Sequence, residues 1–176
     1  MADPEPRATS DERRATQIAV IGSGTCAQDS ELALLAEEVG RRLADAGAVL
    51  VCGGLGGVME AASRGAAQAG GTVIGIVPSD SIEHANPHCT HVVATGIGHA
   101  RNLAVVASGE AVIAVGGEWG TLSEIGFARR LGRGVVTLRS WQPRGEGAMA
   151  EMPGIAVAES AEQAVSAALA SMGQRP

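Results

Sequence analysis

The sequence predicts a doubly wound α/β domain, a mostly parallel sheet of about seven strands with helices on both faces. First, short aliphatic runs alternate along the chain with stretches of helical periodicity. Second, 45% of the residues are hydrophobic but only 2% are aromatic, so the core must consist of Val, Ile, Leu and Ala. Such residues suit parallel strands that are buried on both faces. Third, many of the 25 glycines lie between the aliphatic runs and the helical stretches, where strand-to-helix turns are expected.

The first half of the chain has a β-α-β-α-β pattern. One helix has apolar residues at a spacing of three to four, which is typical of an amphipathic helix, and Gly47 follows it in the place of a C-cap glycine. A polar stretch over 79–90 predicts a long loop. The predicted elements are a strand at 18–21, a helix at 30–46, a strand at 48–52, a helix at 58–69 and a strand at 72–77.

The second half continues the alternation, with an irregular segment at 141–152. Ser160 is a predicted N-cap for the last helix. We expect residues 1–15 to be a disordered tail and 16–176 to form a single Rossmann-like domain. The predicted elements are strands at 91–95, 111–115, 134–138 and 155–158, and helices at 99–108, 121–131 and 161–172.

Composition excludes several classes of protein. The net charge is −6 and the pI about 5.2, which argues against nucleic acid as a partner, because nonspecific binding to phosphates needs clustered Lys and Arg. No apolar run is long enough to span a membrane, and the polar N-terminus does not resemble a signal peptide. The three cysteines lack the spacing of a zinc site or disulfide framework. We therefore expect a cytoplasmic protein.

The chain contains no lysine, and all 13 of its basic side chains are Arg. Schiff-base chemistry on pyridoxal phosphate needs a lysine amine. A Walker P-loop needs a lysine on the nucleotide phosphates. Both chemistries are therefore excluded.

Glycine-rich turns follow the first, second and fifth predicted strands, at 22–24, 53–57 and 116–120. In a doubly wound sheet these turns should meet at the carboxyl ends of the strands, where backbone amides can approach an anion. The first turn, which contains Ser23, lacks the third glycine of the dinucleotide fingerprint, and no acidic residue closes the second strand. A nicotinamide dehydrogenase is thus the weaker nucleotide-binding interpretation.

Two of these turns belong to longer motifs. Residues 53–78 read GGLGGVMEAASRGAAQAGGTVIGIVP and residues 116–124 read GGEWGTLSE. Together they resemble the Lonely-Guy family of cytokinin-activating phosphoribohydrolases and its sister branch, the molybdenum-cofactor carrier proteins, many of which were mislabelled lysine decarboxylases. The resemblance covers nearly all of the chain from residue 16.

The resemblance implies binding of a nucleoside 5′-monophosphate and hydrolysis of its N-glycosidic bond, with release of the base and ribose 5-phosphate. It implies two catalytic residues: Glu124, which would stabilise or trap an oxocarbenium-like sugar, and Arg101, which would orient the substrate and stabilise charge. It implies no cofactor and a homodimer. The predicted ligand-binding or phosphate-binding residues are Ser23, Gly54, Gly56, Gly57, Met59, Gly117, Gly120 and Thr121.

The second motif departs from the family pattern in ways that bear on catalysis. Gly116 replaces the family proline, and Glu118 replaces a glycine, which adds a carboxylate to a phosphate loop. Ser123 stands where many of the hydrolases have a further glutamate. These differences keep open a carrier or sensor of a nucleotide or a pterin-like cofactor that does not turn over. A third alternative is an interaction domain that only retains the fold.

The candidate residues also have structural interpretations. A glutamate such as Glu124 is favoured in the first turn of any helix by the dipole, and Arg101 could be an ordinary solvated helix residue. Met59 is of a type that often packs in a core. Trp119 suits either a ligand ring or a subunit contact. The four histidines lack the spacing of metal ligands, so we expect no metal site.

Overall fold

The computed structural model describes residues 14–143 and 154–172. The predicted tail at 1–15 lies outside these ranges except for its last two residues, and so does most of the irregular segment predicted at 141–152. The described residues form seven strands: β1 Gln17–Gly22, β2 Val49–Cys52, β3 Val73–Val77, β4 His91–Ala94, β5 Ala111–Val115, β6 Gly134–Leu138 and β7 Ile155–Ala158. They also form five helices: α1 Glu31–Asp45, α2 Val58–Gln68, α3 Arg101–Ser108, α4 Trp119–Arg130 and α5 Ala161–Ser171.

The ends of the elements differ from the predicted ones by a few residues. The helix predicted at 99–108 divides into a 3₁₀ turn at Gly98–Ala100 and the regular helix α3. Helix α4 begins at Trp119 because Glu118 has an extended backbone and occupies the N-cap position. The predicted cap of α5 is confirmed, since Ser160 Oγ accepts a hydrogen bond from Gln163 N at 3.2 Å.

The predicted fold class is confirmed. The strands lie in the order β4-β3-β2-β1-β5-β6-β7, and every neighbouring pair is parallel. The chain moves outward from β1 through β2 and β3 to β4, and then returns to place β5 on the other side of β1. This reversal makes the carboxyl end of β1 the switch point at which doubly wound proteins bind ligands.

The aliphatic core lies on both faces of the sheet. Helices α1, α2 and α5 cover one face, and α3 and α4 cover the other. The central strands are fully buried, as Ile18, Val51 and Ile113 illustrate. None of the described helices is long and apolar enough to cross a bilayer.

Helices α1 and α2 touch through their backbones. A Cβ on Gly40 would lie 1.9 Å from Ala62 O, and a Cβ on Gly65 would lie 1.9 Å from Glu37 O. The alanine-rich face of α2 is therefore buried against α1 and β1.

We predict that Gly65→Ala destabilises the protein by roughly 1–3 kcal/mol, because the added methyl group must push the two helices apart. Helix propensity alone would predict the opposite sign, since alanine is the better helix former. Gly126→Ala in α4 is the matched control. A Cβ there meets nothing within 4 Å, so we expect it to stabilise the protein by about 0.5–1 kcal/mol. Urea unfolding of both variants measures the difference, and a Gly65→Ala variant as stable as wild type would contradict the close helix contact.

Candidate functional site

The three glycine-rich turns meet around a cavity of about 180 Å³ above the carboxyl end of β1. The turns after β1, β2 and β5 each contribute to its wall, as do the starts of α3 and α4. The lining residues are Val20, Ile21, Gly22, Ser23, Gly24, Gly53, Leu55, Met59, His99, Arg101, Asn102, Glu118, Gly120, Thr121 and Glu124. The structure thus brings together six of the residues singled out from the sequence: Ser23, Met59, Arg101, Gly120, Thr121 and Glu124.

The floor of the cavity holds a buried pair of opposite charges. Arg101 is 6% exposed and Glu124 is 7% exposed. Arg101 Nη1 lies 3.9 Å from Glu124 Oε1, which is an ion pair but too long for a hydrogen bond. Arg101 Nη1 donates instead to the carboxamide of Asn102, and Arg101 Nε has no acceptor among the described residues. The two side chains therefore line the cavity without a hydrogen bond between them.

Burial changes the ionisation of this pair. Desolvation raises the pKa of Glu124 to about 7, although the positive charge of Arg101 opposes the change. Desolvation also lowers the pKa of Arg101, while Glu124 and the neighbouring Cys52 thiol act in the other direction. Near neutral pH Glu124 is therefore close to equal populations of acid and carboxylate, which suits a group that exchanges a proton or stabilises developing positive charge.

The start of α4 presents unpaired backbone amides to the same cavity. The first hydrogen bond of this helix runs from Leu122 N to Glu118 O at 3.1 Å. The amides of Trp119, Gly120 and Thr121 precede it, so they have no intrahelical partner. An anion at this position would accept hydrogen bonds from these amides and interact with the positive end of the helix dipole.

Four of the predicted phosphate-binding glycines do not line the cavity: Gly54, Gly56, Gly57 and Gly117. Two of them shape the turns instead. Gly57 has φ 64°, and a Cβ there would lie 2.3 Å from Ser23 O, so this position needs glycine for both reasons. Gly117 has φ 128°, and a Cβ there would lie 2.6 Å from the side chain of Thr121. These two glycines let the turns after β2 and β5 approach their neighbours.

A buried polar cluster holds the turn after β2 in place. Asn86 donates through its backbone amide to Gly54 O at 2.8 Å and through Nδ2 to Leu55 O at 3.1 Å. Below the turn, Cys52 Sγ contacts Ser63 Oγ at 3.4 Å. A hydrogen bond from the Cys89 thiol is the main cause that lowers the pKa of Cys52 to about 7. The predicted loop at 79–90, which carries Asn86 and Cys89, thus supports one wall of the cavity.

Glu118 connects two walls of the cavity. Its Oε1 accepts hydrogen bonds from Ser23 Oγ at 2.9 Å and from Thr25 Oγ1 at 3.0 Å. Its backbone carbonyl accepts a hydrogen bond from Trp141 Nε1 at 3.1 Å. The ring centroid of Trp141 lies 5.4 Å from that of Trp119, which is itself 77% exposed. The carboxylate that departs from the related motif therefore lies in the wall of the cavity, in a residue that is exposed to solvent.

Sequence reasoning missed two polar lining residues, Asn102 and His99. Asn102 accepts a hydrogen bond from the Arg101 guanidinium. The sequence signal that could have identified Asn102 is its position directly after a candidate catalytic arginine. His99 lies in the 3₁₀ turn before α3, and nothing in its sequence spacing distinguished it. No three His, Cys, Asp or Glu side chains are grouped as metal ligands in the described part of the chain.

A larger cavity, of about 610 Å³, lies at the opposite edge of the sheet. It borders the first residues of β6 and β7 together with α5, and its lining is mostly Gly, Ala, Val and Ile. Arg129 is the charged residue in its described lining. The amino ends of parallel strands are not where doubly wound proteins bind ligands, and the described residues that line this cavity include no acid–base pair. The chemistry therefore identifies the smaller cavity as the candidate site.

Fold and site together define a Rossmann-like protein with a crevice at its switch point that is lined by a buried arginine and a buried glutamate. The model of the SLOG cluster4 family matches residues 15–166, and the chain belongs to this family. An uncharacterized protein of Archaeoglobus fulgidus is 46% identical over 123 residues, which are 70% of this chain and 80% of that protein.

Several of the matching solved structures are named for the molybdenum cofactor. The molybdenum cofactor carrier protein of Chlamydomonas reinhardtii is 30% identical, with a TM-score of 0.78, and the match covers 92% of this chain and 100% of that one. The molybdenum cofactor binding protein of Rippkaea orientalis is 32% identical, with a TM-score of 0.74 and coverage of 88% and 95%. The resemblance to the Lonely-Guy and molybdenum-cofactor carrier families is therefore confirmed.

The fold also occurs in a protein whose name refers to DNA processing. DNA processing protein A of Streptococcus pneumoniae has a TM-score of 0.66 and 20% identity, and the match covers 86% of this chain and 61% of that one. At this identity the likeness concerns the fold alone. The absence of a nucleic-acid partner accordingly stays a prediction, based on the net charge of −6.

We predict that Glu124→Gln removes a pH-dependent loss of stability. Since the folded-state pKa of about 7 lies above the ordinary value of 4.5, the folded state binds this proton more tightly than the unfolded state does. The wild-type free energy of unfolding should therefore fall, relative to the variant, as pH rises from 4.5 to 7. The difference should reach on the order of 3 kcal/mol above pH 7 and vanish at low pH.

Urea unfolding at a series of pH values measures this difference. Glu162→Gln in α5 is the matched control, because its side chain is 72% exposed. Parallel curves for wild type and Glu124→Gln over the whole range would contradict a buried, easily protonated Glu124.

Proposed function

We propose that this protein binds a nucleoside 5′-monophosphate in the small cavity and hydrolyses its N-glycosidic bond. The observation that carries the proposal is the buried Arg101–Glu124 pair, which lines the cavity beside the start of α4 without a hydrogen bond between the two side chains. The phosphate binds at the start of α4, and the sugar lies over Glu124. Of the ligand contacts expected from the sequence, Ser23, Met59, Gly120 and Thr121 fit this arrangement, whereas the glycines that do not line the cavity have no direct part in it.

Each group has a defined part in the proposed reaction. The bond between the base and the anomeric carbon breaks as the sugar acquires oxocarbenium character, and the Glu124 carboxylate stabilises that positive charge. Arg101 holds the sugar or phosphate oxygens in place, with its guanidinium oriented by Asn102. Water adds to the anomeric carbon, and the products are the free base and ribose 5-phosphate.

The size of the cavity fits the sugar and phosphate better than a whole nucleotide. Ligand pockets are commonly about 300–1,000 Å³, and this one is about 180 Å³. The base then extends to the rim, where Trp119 offers an exposed aromatic ring. Stacking on a rim tryptophan favours a planar base without selecting one by hydrogen bonds.

Incubation with AMP should release adenine and ribose 5-phosphate, which chromatography and a reducing-sugar assay detect. Because the carboxylate form of Glu124 is the active one, the rate should rise with pH and level off above about 7. Glu124→Gln and Arg101→Lys should each lower kcat/KM by at least about 100-fold. Glu162→Gln should leave the rate unchanged. Absence of base release from any common monophosphate would reject the enzyme.

The second candidate is a carrier or sensor that binds a nucleotide or a pterin-like cofactor over the same turns without turnover. The names of the relatives from C. reinhardtii and R. orientalis favour it, and so does the carboxylate of Glu118 in the wall of the cavity. The same incubation separates the two candidates. A ligand-dependent rise in melting temperature without product selects the carrier, and absorbance beyond about 300 nm in the purified protein points to a pterin. No response to any phosphate ligand would leave only an interaction domain.

We further propose a cytoplasmic homodimer that associates through α3 and α4. Leu103 in α3 is 45% exposed and Phe127 in α4 is 37% exposed, and Leu131, the C-cap residue of α4, is 43% exposed. Light scattering should give twice the chain mass of 17.6 kDa. Phe127→Glu should return the mass to that of one chain, whereas Leu34→Glu on α1 should not. A wild-type monomer would reject the dimer.

A further inference from the structure

Two of the free cysteines lie against each other beneath the turn after β2. Cys52 is the last residue of β2 and is fully buried, whereas Cys89 belongs to the loop at 79–90 and is partly exposed. Cys52 and Gly75 are register partners on the parallel strands β2 and β3, so their side-chain positions share one face of the sheet. Cys89 Sγ lies 2.5 Å from the position that a Cβ on Gly75 would take. The sulfur of Cys89 thus fills the place next to the Cys52 side chain.

The distances in this arrangement suit a disulfide. Neighbouring strands in a sheet lie about 4.7–4.9 Å apart, which is within the range of Cα separations that a disulfide spans. Cys89 Cβ lies 3.3 Å from the Cβ position on Gly75, the strand neighbour of Cys52. The Cys89 thiol also hydrogen-bonds to the Cys52 sulfur, so the two side chains are in contact. A small movement of the loop is therefore enough to bring the sulfurs to bonding distance.

The surroundings of Cys52 favour its thiolate, which is the reactive form of a cysteine. Its Sγ accepts a hydrogen bond from Gly54 N at 3.4 Å. The hydrogen bond from Cys89 and the positive charge of Arg101 act in the same direction, and together they hold the pKa of Cys52 at about 7. Cys52 has no exposed surface, so the partly exposed Cys89 is the sulfur that a small oxidant reaches first.

We propose that Cys52 and Cys89 form a site of reversible oxidation, which a peroxide converts into an intramolecular disulfide. Cys89 Sγ attacks a peroxide oxygen while its proton passes to Cys52, the O–O bond breaks, and the second oxygen leaves as hydroxide. Cys52 Sγ then attacks the sulfur of the sulfenic acid and loses its proton, and the hydroxyl group leaves as water. Counted from two neutral thiols, the pair loses two electrons and two protons, and the peroxide becomes two water molecules.

The disulfide fixes the loop at 79–90 to the sheet below the candidate site. Asn86, in the same loop, already holds the turn after β2 through hydrogen bonds to Gly54 O and Leu55 O. A covalent bond at Cys89 adds to these contacts and restricts a turn that lines the cavity. The inference stands apart from the proposed function, since it needs neither a bound ligand nor turnover.

The test treats the folded, fully reduced chain with an excess of hydrogen peroxide and then blocks the remaining thiols with iodoacetamide. Trypsin cuts this lysine-free chain only after arginine, so the three cysteines fall in separate peptides, 15–41, 43–64 and 65–101. Mass spectrometry without reductant should find peptide 43–64 joined to peptide 65–101, lighter than the two free peptides together by two hydrogen atoms. Dithiothreitol should separate them again.

Cys26→Ser is the matched control, because it removes the third thiol and should leave the linked peptides unchanged. Cys89→Ser should abolish them. Oxidised wild type should melt about 10 °C above the reduced protein, because the bond constrains the unfolded chain, and Cys89→Ser should show no such rise. If Cys89→Ser does not fold, wild type and Cys26→Ser still decide the question, since both retain the pair.

Several results would overturn the proposal. A link to peptide 15–41, a link between two chains on a gel without reductant, or sulfinic acid at Cys89 without a link each shows that the two sulfurs do not react with one another. Full labelling of all three thiols after peroxide shows that the pair is not oxidised. A disulfide that leaves the melting temperature unchanged shows that it does not fix the loop.

Discussion

Strands β2 and β5 are the two neighbours of β1 and lie on opposite sides of it. The crevice at the carboxyl end of β1 exists because the chain connections diverge at this point. The helices that follow the two outer turns lie on opposite faces of the sheet, so neither covers the gap between them. Into this gap α4 directs its unpaired amides. The polar chemistry of the protein is concentrated there because the aliphatic core excludes polar groups elsewhere.

The cost of the site lies in burying Arg101 and Glu124. The attraction between the two charges at 3.9 Å offsets part of the free energy that their desolvation costs. At this distance, however, the two side chains form no hydrogen bond with each other. A pair arranged only for stability would have closed this distance. The turn after β2 contributes to the arrangement, since a Cβ on Gly53 would lie 2.7 Å from Arg101 Nη2 and displace the guanidinium. Gly53 thus leaves the space that the Arg101 guanidinium occupies.

Glu118 adds a negative charge to the lining of this site. The backbone amides at the start of α4 and the Arg101 side chain at the start of α3 both attract anions. The carboxylate of Glu118 opposes them, and its hydrogen bonds to Ser23 and Thr25 tie the turn after β5 to the turn after β1. One residue therefore acts both as a cross-link between two walls and as a negative charge in the lining.

The sequence by itself determined the order of the elements, the parallel sheet and the convergence of three turns, because aliphatic runs and glycines report on burial and backbone geometry locally. It also singled out Arg101 and Glu124 through their motifs. Only the tertiary structure decided that Gly57 and Gly117 lie beneath the turns, that α1 covers α2, and that Asn86 and Cys89 support the site from a distant loop. Those facts depend on contacts between residues far apart in the chain. The direction of the Glu118 side chain is of the same kind, since its partners lie 93 and 95 residues away.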